Sequence, residues 1–216
     1  MPPIVCIVGK SGSGKTRLLE GLIAELKRRG YRLAAVKHTD HLLELDQPGK
    51  DSWRLIQAGS DAAVISTPQK IGLIRTVSQD SSLEELSRLI GGDFDIILAE
   101  GFRHGSAPKI EVYRKELGED LLCSQQQLLA IVSDEPLDVA VPRYSADDFQ
   151  GLADFIEQSF LAGGKEEDMA LFVNGASVPL SPFPREFIAK TLVGMISALH
   201  DVGEVRSLDI WLRRKS

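Results

Sequence analysis

Short apolar runs alternate with amphipathic stretches as far as residue 162, which predicts strands separated by helices. Ile4 to Val8 is apolar and rich in β-branched residues, as is typical of a buried strand. From Arg17 to Arg29 the leucines and isoleucines fall on one helical face, and Gly30 stands where that helix should end. The first elements are therefore a strand, a loop and a helix.

The same patterns predict the rest of this part of the chain. Further strands are expected at Leu33 to Lys37, Phe94 to Glu100, Ile110 to Arg114 and Leu128 to Val132, and Ala62 to Ser66 is expected to form a strand pair with Ile71 to Arg75. Helices are expected at Ser52 to Ala58, Leu83 to Ile90 and Ala146 to Leu161. Strands that are buried on both faces and separated by helices form parallel sheets, which bind ligands at the carboxyl ends of their strands. The expected fold class is α/β, with a doubly wound and mostly parallel sheet.

The composition changes at residues 162–168, where glycines and charged residues form a stretch typical of a linker. We therefore divide the chain into a domain at 1–162, a linker at 163–168 and a small C-terminal α+β module at 169–216. The module is expected to hold a hairpin that turns at Asn174-Gly175, a helix from about Pro184 to Leu199 and a last strand from Val205 to Leu212. So small a core is marginal, which favours a role in association.

The composition argues against several classes of protein. The formal net charge of −6 argues against nucleic-acid binding, and no apolar run is long enough to span a membrane. No secretory signal pattern is seen at the start of the sequence. Cys6 and Cys123 both lie in apolar surroundings and are expected to be free thiols, as in a reducing compartment. The expected location is the cytoplasm.

Residues 9–16 carry the most specific chemistry, because they match G-x-x-x-x-G-K-[ST], the phosphate-binding loop of nucleoside-triphosphate proteins. The loop lies between the predicted strand and helix, which is the context that this motif requires. Its glycines allow the backbone N–H groups to approach phosphate oxygens, and Lys15 should reach the β- and γ-phosphates while Thr16 ligates Mg²⁺. The predicted nucleotide-binding residues are Gly9, Lys10, Ser11, Gly12, Ser13, Gly14, Lys15 and Thr16. The α/β fold is thus expected to be that of a P-loop NTPase.

An acidic residue at the end of an apolar strand, the Walker-B pattern, supplies the second half of the expected site. Glu100 ends the predicted strand that starts at Phe94, and Gly101 allows close approach of the next segment. We expect Glu100 to hold Mg²⁺ and to share the catalytic role with Lys15; the alternative is a solvated strand end. Asp95 lies at the other end of the strand and is interpreted as a turn residue.

A segment dense in charge follows the second strand. It contains the run Val36-Lys37-His38-Thr39-Asp40-His41 and, further on, Asp46, Asp51 and Arg54. A loop that senses substrate or Mg²⁺ is the favoured interpretation, and a solvated loop is the alternative. A zinc site built from His38 and His41, with His104, is a third reading.

Four strings carry a resemblance to a known family: GKSGSGKT, VKHTDH, DQPGKDSWRLIQAG and ILAEGFRHGSAPKIEVYR. Together they resemble the MobB family, molybdopterin-guanine dinucleotide biosynthesis protein B, over about residues 4 to 160. The resemblance implies a dimeric P-loop protein that binds GTP, hydrolyses it weakly with Mg²⁺, and assists the molybdenum cofactor guanylyltransferase that joins GMP to molybdopterin. By motif position, His38, Asp46, Asp51 and Arg54 fall in the family's characteristic loop. Glu100, Gly101 and Lys109 fall in its EGF-x-x-x-x-x-K segment.

The choice of base rests on the resemblance alone, because the chain has no N-K-x-D or T-K-x-D loop for guanine. Ser133-Asp134, after the strand that ends at Val132, is a candidate substitute. The alternative reading of Asp134 is a loop cap.

Two other functions share the phosphate loop. One is a small-molecule kinase with His38 or Asp51 near the acceptor, and the other is a nucleotide-dependent docking or adaptor protein.

Lys10 has two possible roles. Dimeric P-loop proteins of the K-G-G-x-G-K-[ST] type use the lysine at this position to contact the phosphates bound by the partner subunit. A solvated loop lysine is the alternative.

Overall fold

A computed structural model describes residues 2–39, 45–118, 120–124, 126–162, 169–174, 176–205, 208–210 and 212. The chain divides into two compact units, Pro2–Ala162 and a second unit that begins at Gly163. The first unit ends where the composition changes. None of the described helices has the length and the apolar character needed to cross a membrane.

The first unit alternates strands and helices. Its strands are β1 (Ile4–Gly9), β2 (Leu33–Lys37), β3 (Ala62–Ser66), β4 (Ile71–Arg75), β5 (Ile96–Glu100), β6 (Lys109–Val112), β7 (Leu128–Val132) and β8 (Arg143–Tyr144). Its α-helices are α1 (Lys15–Arg28), α2 (Asp51–Gln57), α3 (Leu83–Ile90) and α4 (Phe149–Ile156). A 3₁₀ turn lies at Lys115–Leu117, and α4 continues as a π-helical turn at Glu157–Leu161.

Six of these strands form one parallel sheet in the order β2-β5-β1-β6-β7-β8. All six therefore end at the same edge of the sheet. The chain fills the β2 and β5 side first and then crosses β1 to build the β6, β7 and β8 side, so β1 lies at the point where the strand order reverses. Ligands of open α/β sheets bind at this point. The predicted α/β class with a doubly wound, mostly parallel sheet is confirmed.

One face of the sheet is covered by α1 and α4, and together they bury the main hydrophobic core. The buried face of α1 includes Leu18, Leu22 and Leu26, as the apolar spacing predicted. A Cβ added at Gly21 would lie 2.4 Å from the ring of Phe149, so this glycine allows the two helices to approach closely. Phe149 and Phe155 of α4 also pack on this core.

Charged residues join the same two helices at their far end. Glu25 accepts hydrogen bonds from Arg28 and Arg29, and Arg29 Nη1 also pairs with Asp154 and Glu157 at 2.6 and 2.7 Å. These hydrogen bonds lower the pKa of Glu25 from 4.5 to about 2. The network ties α1 to the end of α4.

The other face of the sheet is covered by a smaller cluster around Cys6, Val8, Leu83 and Ala99. Lys109 and Glu111 on β6 are also buried, at 0% and 2% exposure. Helix α3 begins with a capping box in which Ser82 and Glu85 exchange hydrogen bonds, and it brings Leu83 onto this cluster. Both cysteines are free thiols, as predicted, and burial raises the pKa of each to about 11.

Strands β3 and β4 were predicted correctly in position, but they do not join the main sheet. They pair with each other in an antiparallel two-stranded sheet. Most of their large apolar side chains are exposed, with Val64 at 62%, Ile71 at 77% and Leu73 at 47%. The expectation that the strands are buried on both faces is therefore wrong for this pair, because neighbouring apolar runs connected by a short turn can pair with each other alone.

The second unit holds an antiparallel pair, β9 (Leu171–Val173) and β10 (Ala176–Val178), followed by α5 (Pro182–Ser197). The predicted hairpin and helix are thus present, with the helix two residues earlier at each end. The predicted last strand from Val205 to Leu212 is different: residues 205, 208–210 and 212, the described part of this stretch, lie outside any strand. An apolar run forms a strand only when it has a neighbour to pair with.

Two boundaries in the first unit also differ from prediction. The last helix was expected from Ala146, yet α4 begins at Phe149, because the side chain of Asp148 accepts the hydrogen bond of Gly151 N and caps the helix there. Strand β8, of only two residues, was not predicted because so short a run carries no periodic signal.

Candidate functional site

The phosphate loop leaves β1 at the centre of the sheet and enters α1. Gly9 and Gly12 have positive φ, as does Gly14, which caps α1 in a left-handed conformation. A Cβ on Gly9 would lie 2.5 Å from the carbonyl oxygen of Val112, so the loop needs glycine at this position. The buried hydroxyl of Ser13 has no hydrogen-bond partner in the described part of the chain, and such an orphaned group is one that a ligand or water satisfies.

Lys15 lies at the first position of α1 and its side chain folds back over the loop. Its Nζ donates hydrogen bonds of 2.9 Å to the carbonyl oxygens of Gly9 and Lys10. Burial lowers the pKa of Lys15; Glu100 opposes this shift and Lys37 adds to it. The ammonium group is therefore held above the loop, where the motif places the phosphates.

Glu100 ends β5 beside the loop, in the register predicted for a Walker-B acid. Ile7 of β1 lies opposite Glu100, and Thr16 Oγ1 donates a hydrogen bond of 2.8 Å to Glu100 Oε2. The other oxygen, Oε1, lies 3.2 Å from Lys37 Nζ on β2. The carboxylate is 7% exposed, so Glu100 is not a solvated strand end. A carboxylate and a hydroxyl in contact at the first turn of α1 are the hard oxygen donors that Mg²⁺ accepts.

The segment that follows Glu100 packs against the end of β2. Gly101 has φ +100, and a Cβ there would lie 3.2 Å from the Cβ of His38, so the close approach predicted for this glycine is present. Phe102 also has positive φ, and its ring lies 4.8 Å from the ring of His38. His38 Nε2 lies 2.8 Å from Asp80 Oδ2, which fixes the imidazole beside the site.

The other residues predicted for the charged loop are not seen in contact with the phosphate loop. Asp46 Oδ1 accepts hydrogen bonds from Gln47 N and Ser52 Oγ, while Arg54 lies 3.9 Å from Asp51. Among the described residues, the polar contacts of these three side chains thus lie within residues 46–54. His41 lies outside the described residues. No group of three or more His, Cys, Asp and Glu side chains gathers in the described part, so zinc ligation has no support there.

Lys109 and Glu111 are further polar residues that the fold brings close to the site. Lys109 Nζ donates hydrogen bonds to the carbonyl oxygens of Gly105 and Ala107, and so anchors the segment that follows Glu100 to β6. Both oxygens of Glu111 accept backbone N–H groups, those of Leu122 and Cys123. Glu111 was not predicted, although a charged residue within an apolar strand is a signal that could have identified it.

On the other side of β1, Arg114 connects the phosphate loop to the end of β7. Its Nε donates to Ser13 O at 3.4 Å, and its Nη1 pairs with Asp134. Asp134 Oδ1 also accepts the N–H of Ala146 at 3.1 Å, so Asp134 has the loop-cap contact that was one of its two readings. Arg114 was not predicted, because its contacts join residues far apart in sequence.

Comparison with known proteins agrees with this geometry. The sequence profile of the family described as molybdopterin guanine dinucleotide synthesis protein B, MobB, matches residues 4–134. A protein of Escherichia coli (strain K12) named molybdopterin-guanine dinucleotide biosynthesis adapter protein is 35% identical over 161 residues, which cover 72% of this chain and 92% of the relative. A putative adapter protein of the same name from Methanocaldococcus jannaschii is 25% identical over 235 residues and covers 96% of both chains.

Solved structures show the same fold. A crystal structure of molybdopterin-guanine biosynthesis protein B is 30% identical, with a TM-score of 0.58 over 73% of this chain and 98% of that chain. Bacillus subtilis MobB also has a TM-score of 0.58, at 25% identity and the same coverage. The matched profile spans the phosphate loop, the Glu100 strand and the end of β7. The resemblance read from the four sequence motifs is therefore confirmed, and the chain belongs to the MobB family.

Proposed function

We propose that this protein is a GTP-binding adapter protein of molybdopterin guanine dinucleotide biosynthesis with a weak, Mg²⁺-dependent GTPase activity. The observation that carries the proposal is the contact between Thr16 and Glu100 beneath a complete phosphate loop. Its relatives are named as adapter proteins of this biosynthesis, which supports the pathway. The proposed partners are molybdopterin or its guanine dinucleotide and the guanylyltransferase, in the cytoplasm.

The loop residues have clear tasks in this function. The N–H groups of the loop and the positive end of α1 attract the phosphates, and Lys15 exchanges its two carbonyl contacts for phosphate oxygens. Thr16 and Glu100 would hold Mg²⁺, which when bound supplies positive charge to the β- and γ-phosphates. Lys37 stays beside Glu100 and keeps its carboxylate oriented.

Slow turnover follows from the surroundings of Glu100. Its two oxygens already face Thr16 and Lys37, so the carboxylate is suited to holding a metal ion rather than to taking a proton from water. His38, whose ring lies beside the site, is paired with Asp80. Both arrangements favour slow hydrolysis of bound GTP.

Association is the second part of the proposal. The exposed apolar side chains of β3 and β4, together with Leu55 on α2 at 58% exposure, form a surface of the kind that marks protein interfaces. We assign this surface to contact with the guanylyltransferase, in keeping with an adapter role. The assignment rests on exposure and on the family resemblance.

The proposal is tested by calorimetry and turnover on the full chain. GTP should bind in the presence of Mg²⁺ and bind less tightly when EDTA is added, and ATP should bind less well. Hydrolysis of GTP alone should be slow and measurable, and molybdopterin should not become phosphorylated. A phosphorylated pterin would instead support the kinase alternative. Absence of any nucleotide binding would leave only a docking function and would overturn the proposal.

A further inference from the structure

Three elements converge on one exposed carboxylate at the carboxyl edge of the sheet. Asp134 follows β7 directly, and its side chain is 56% exposed. One of its oxygens accepts the backbone N–H of Ala146, which follows β8, and the other pairs with Arg114, which follows β6. An acceptor and a backbone donor therefore lie 3.1 Å apart, and a ligand can separate them.

This pair lies on the side of the phosphate loop away from the metal-holding residues. Glu100 and Lys37 occupy β5 and β2, whereas Asp134 and Ala146 follow β7 and β8 on the opposite side of β1. Neighbouring strands lie about 4.8 Å apart, so β7 lies roughly 10 Å from β1. Arg114 spans this gap, since its guanidinium contacts both Ser13 O in the loop and Asp134. A nucleotide with its γ-phosphate near Glu100 would extend its base in this direction.

Hydrogen bonds hold the backbone on both sides of Asp134 in place. Ser133 N donates to Tyr144 O, and Arg143 Nη1 donates to the carbonyl oxygens of Ser133 and Glu135. The segment after β7 is thus fixed to β8 on both sides of Asp134. The Ala146 N–H and the Arg114 guanidinium lower the pKa of Asp134, so the side chain is a carboxylate at neutral pH.

The chemistry of the pair matches one nucleobase edge. Guanine presents two donors, N1–H and the 2-amino group, next to one acceptor, O6. A carboxylate accepts from several donors at once, so Asp134 can take both guanine donors while it keeps Arg114. The Ala146 N–H, released from Asp134, can donate to O6. Adenine presents an acceptor at N1 and a donor at N6, the reverse arrangement, and would leave both protein groups unsatisfied.

We propose that Asp134 and the backbone N–H of Ala146 form the guanine-recognition site of this protein. The proposal rests on the proposed function, because it assumes that the phosphate loop binds a nucleotide. It names the base-specific contact that the missing N-K-x-D and T-K-x-D motifs leave unassigned. Arg114 acts as a positioning residue that couples the base site to the phosphate loop.

The test replaces one oxygen of the Asp134 carboxylate by an NH₂ group. Asp134→Asn keeps the size of the side chain but presents an NH₂ group to the 2-amino group of guanine, so two donors face each other. Xanthine carries a carbonyl oxygen at position 2, and the same NH₂ group can donate to it. We expect GTP affinity to fall by about ten- to a hundredfold in the variant, in line with the loss of charged hydrogen bonds. Affinity for xanthosine triphosphate should rise, so that the preference between the two nucleotides reverses.

Asp148→Asn is the matched control. Asp148 also accepts a backbone N–H, that of Gly151, but it does so as the cap of α4. Asparagine can also cap a helix, so this variant should leave the ratio of the affinities for GTP and xanthosine triphosphate unchanged. If Asp134 were only a loop cap, its own variant would behave in the same way.

The outcomes separate this inference from the proposed function. A wild-type protein that binds GTP, together with an Asp134→Asn variant whose nucleotide preference is unchanged, overturns the base site alone. A wild-type protein that binds no nucleotide overturns both proposals. Reversal of the preference in Asp134→Asn, with no reversal in Asp148→Asn, supports the site.

Discussion

Thr16 Oγ1 donates a hydrogen bond of 2.8 Å to Glu100 Oε2, across 84 positions of the sequence. The bond exists because β1 and β5 are parallel neighbours with Ile7 opposite Glu100. It brings the end of the phosphate-loop motif and the end of the Walker-B strand into contact. The phosphate-loop threonine and the acid at the strand end are each, taken alone, weak evidence for a metal site. In contact, they form one set of oxygen ligands.

Lys15→Ala should weaken the binding of GTP. The substitution removes the ammonium group that lies over the loop carbonyls, and charged hydrogen bonds are each worth about 1.5–3 kcal/mol. Calorimetry should show a loss of at least tenfold. Lys27→Ala, an exposed lysine near the end of the same helix, is the control and should bind normally. Unchanged affinity in Lys15→Ala would contradict the assignment of the loop.

Glu100→Gln should bind GTP and hydrolyse it more slowly. Glutamine keeps the shape and can still accept the hydrogen bond of Thr16, but it lacks the charge that holds Mg²⁺. The rate of phosphate release at saturating Mg²⁺ measures the effect. Asp95→Asn, which alters the acid just before β5, should keep the wild-type rate. Hydrolysis by Glu100→Gln at the wild-type rate would show that this carboxylate takes no part.

Lys10→Ala should leave hydrolysis unchanged. The amine of Lys10 lies within its own chain, so close to Gly118 that a Cβ there would stand 2.2 Å from Nζ. It is thus directed towards Gly118 of its own chain. The assay is GTP turnover at protein concentrations that support a dimer. A large loss of turnover at those concentrations, absent from the control Lys27→Ala, would favour action on the partner's phosphates instead.

Glu25→Gln should destabilise the protein at neutral pH and not in strong acid. The folded state lowers the pKa of Glu25 to about 2, through hydrogen bonds from Arg28 and Arg29. A lowered pKa contributes stability above the unfolded value of 4.5, and this contribution is lost as the pH falls from about 4.5 towards 2. Melting temperatures of wild type and variant should therefore differ at pH 7 and converge only at about pH 2 and below. A difference in melting temperature that stays constant across this pH range would rule out the ionised network. The control is Glu20→Gln, a substitution at an exposed position of the same helix.

Truncation after Ala162 should keep GTP affinity within a few-fold of wild type and should alter association. Unit Pro2–Ala162 holds the whole described nucleotide site, whereas α5 exposes Phe183 at 76% and Phe187 at 62%. Titration with GTP and light scattering measure the two properties. In the full chain, Phe187→Ser should weaken association in the same direction. Lost GTP binding with unchanged assembly would contradict this role.

Much of the fold is predictable because the sequence patterns that specify it each lie within a short segment. The phosphate loop, α1 and the buried strands β1 and β5 each show their pattern within a dozen residues. The two glycines Gly9 and Gly101 are recognisable from short motifs as well. Each lies where the backbone passes so close to another segment that a side chain would clash. The pairing of β3 with β4 was predicted, but their separation from the main sheet was not, because an apolar run alone does not specify which sheet its strand will join.

The sequence by itself determined the class of fold, the phosphate loop and the acid that faces it, because each depends on residues that are neighbours along the chain. The tertiary structure decided which distant groups share the site. The contacts of Arg114 with Ser13 and Asp134, and of Asp134 with Ala146, follow from the order of strands in the sheet. The strand order depends on how buried surfaces pack together, and that is a property of the whole domain rather than of any segment.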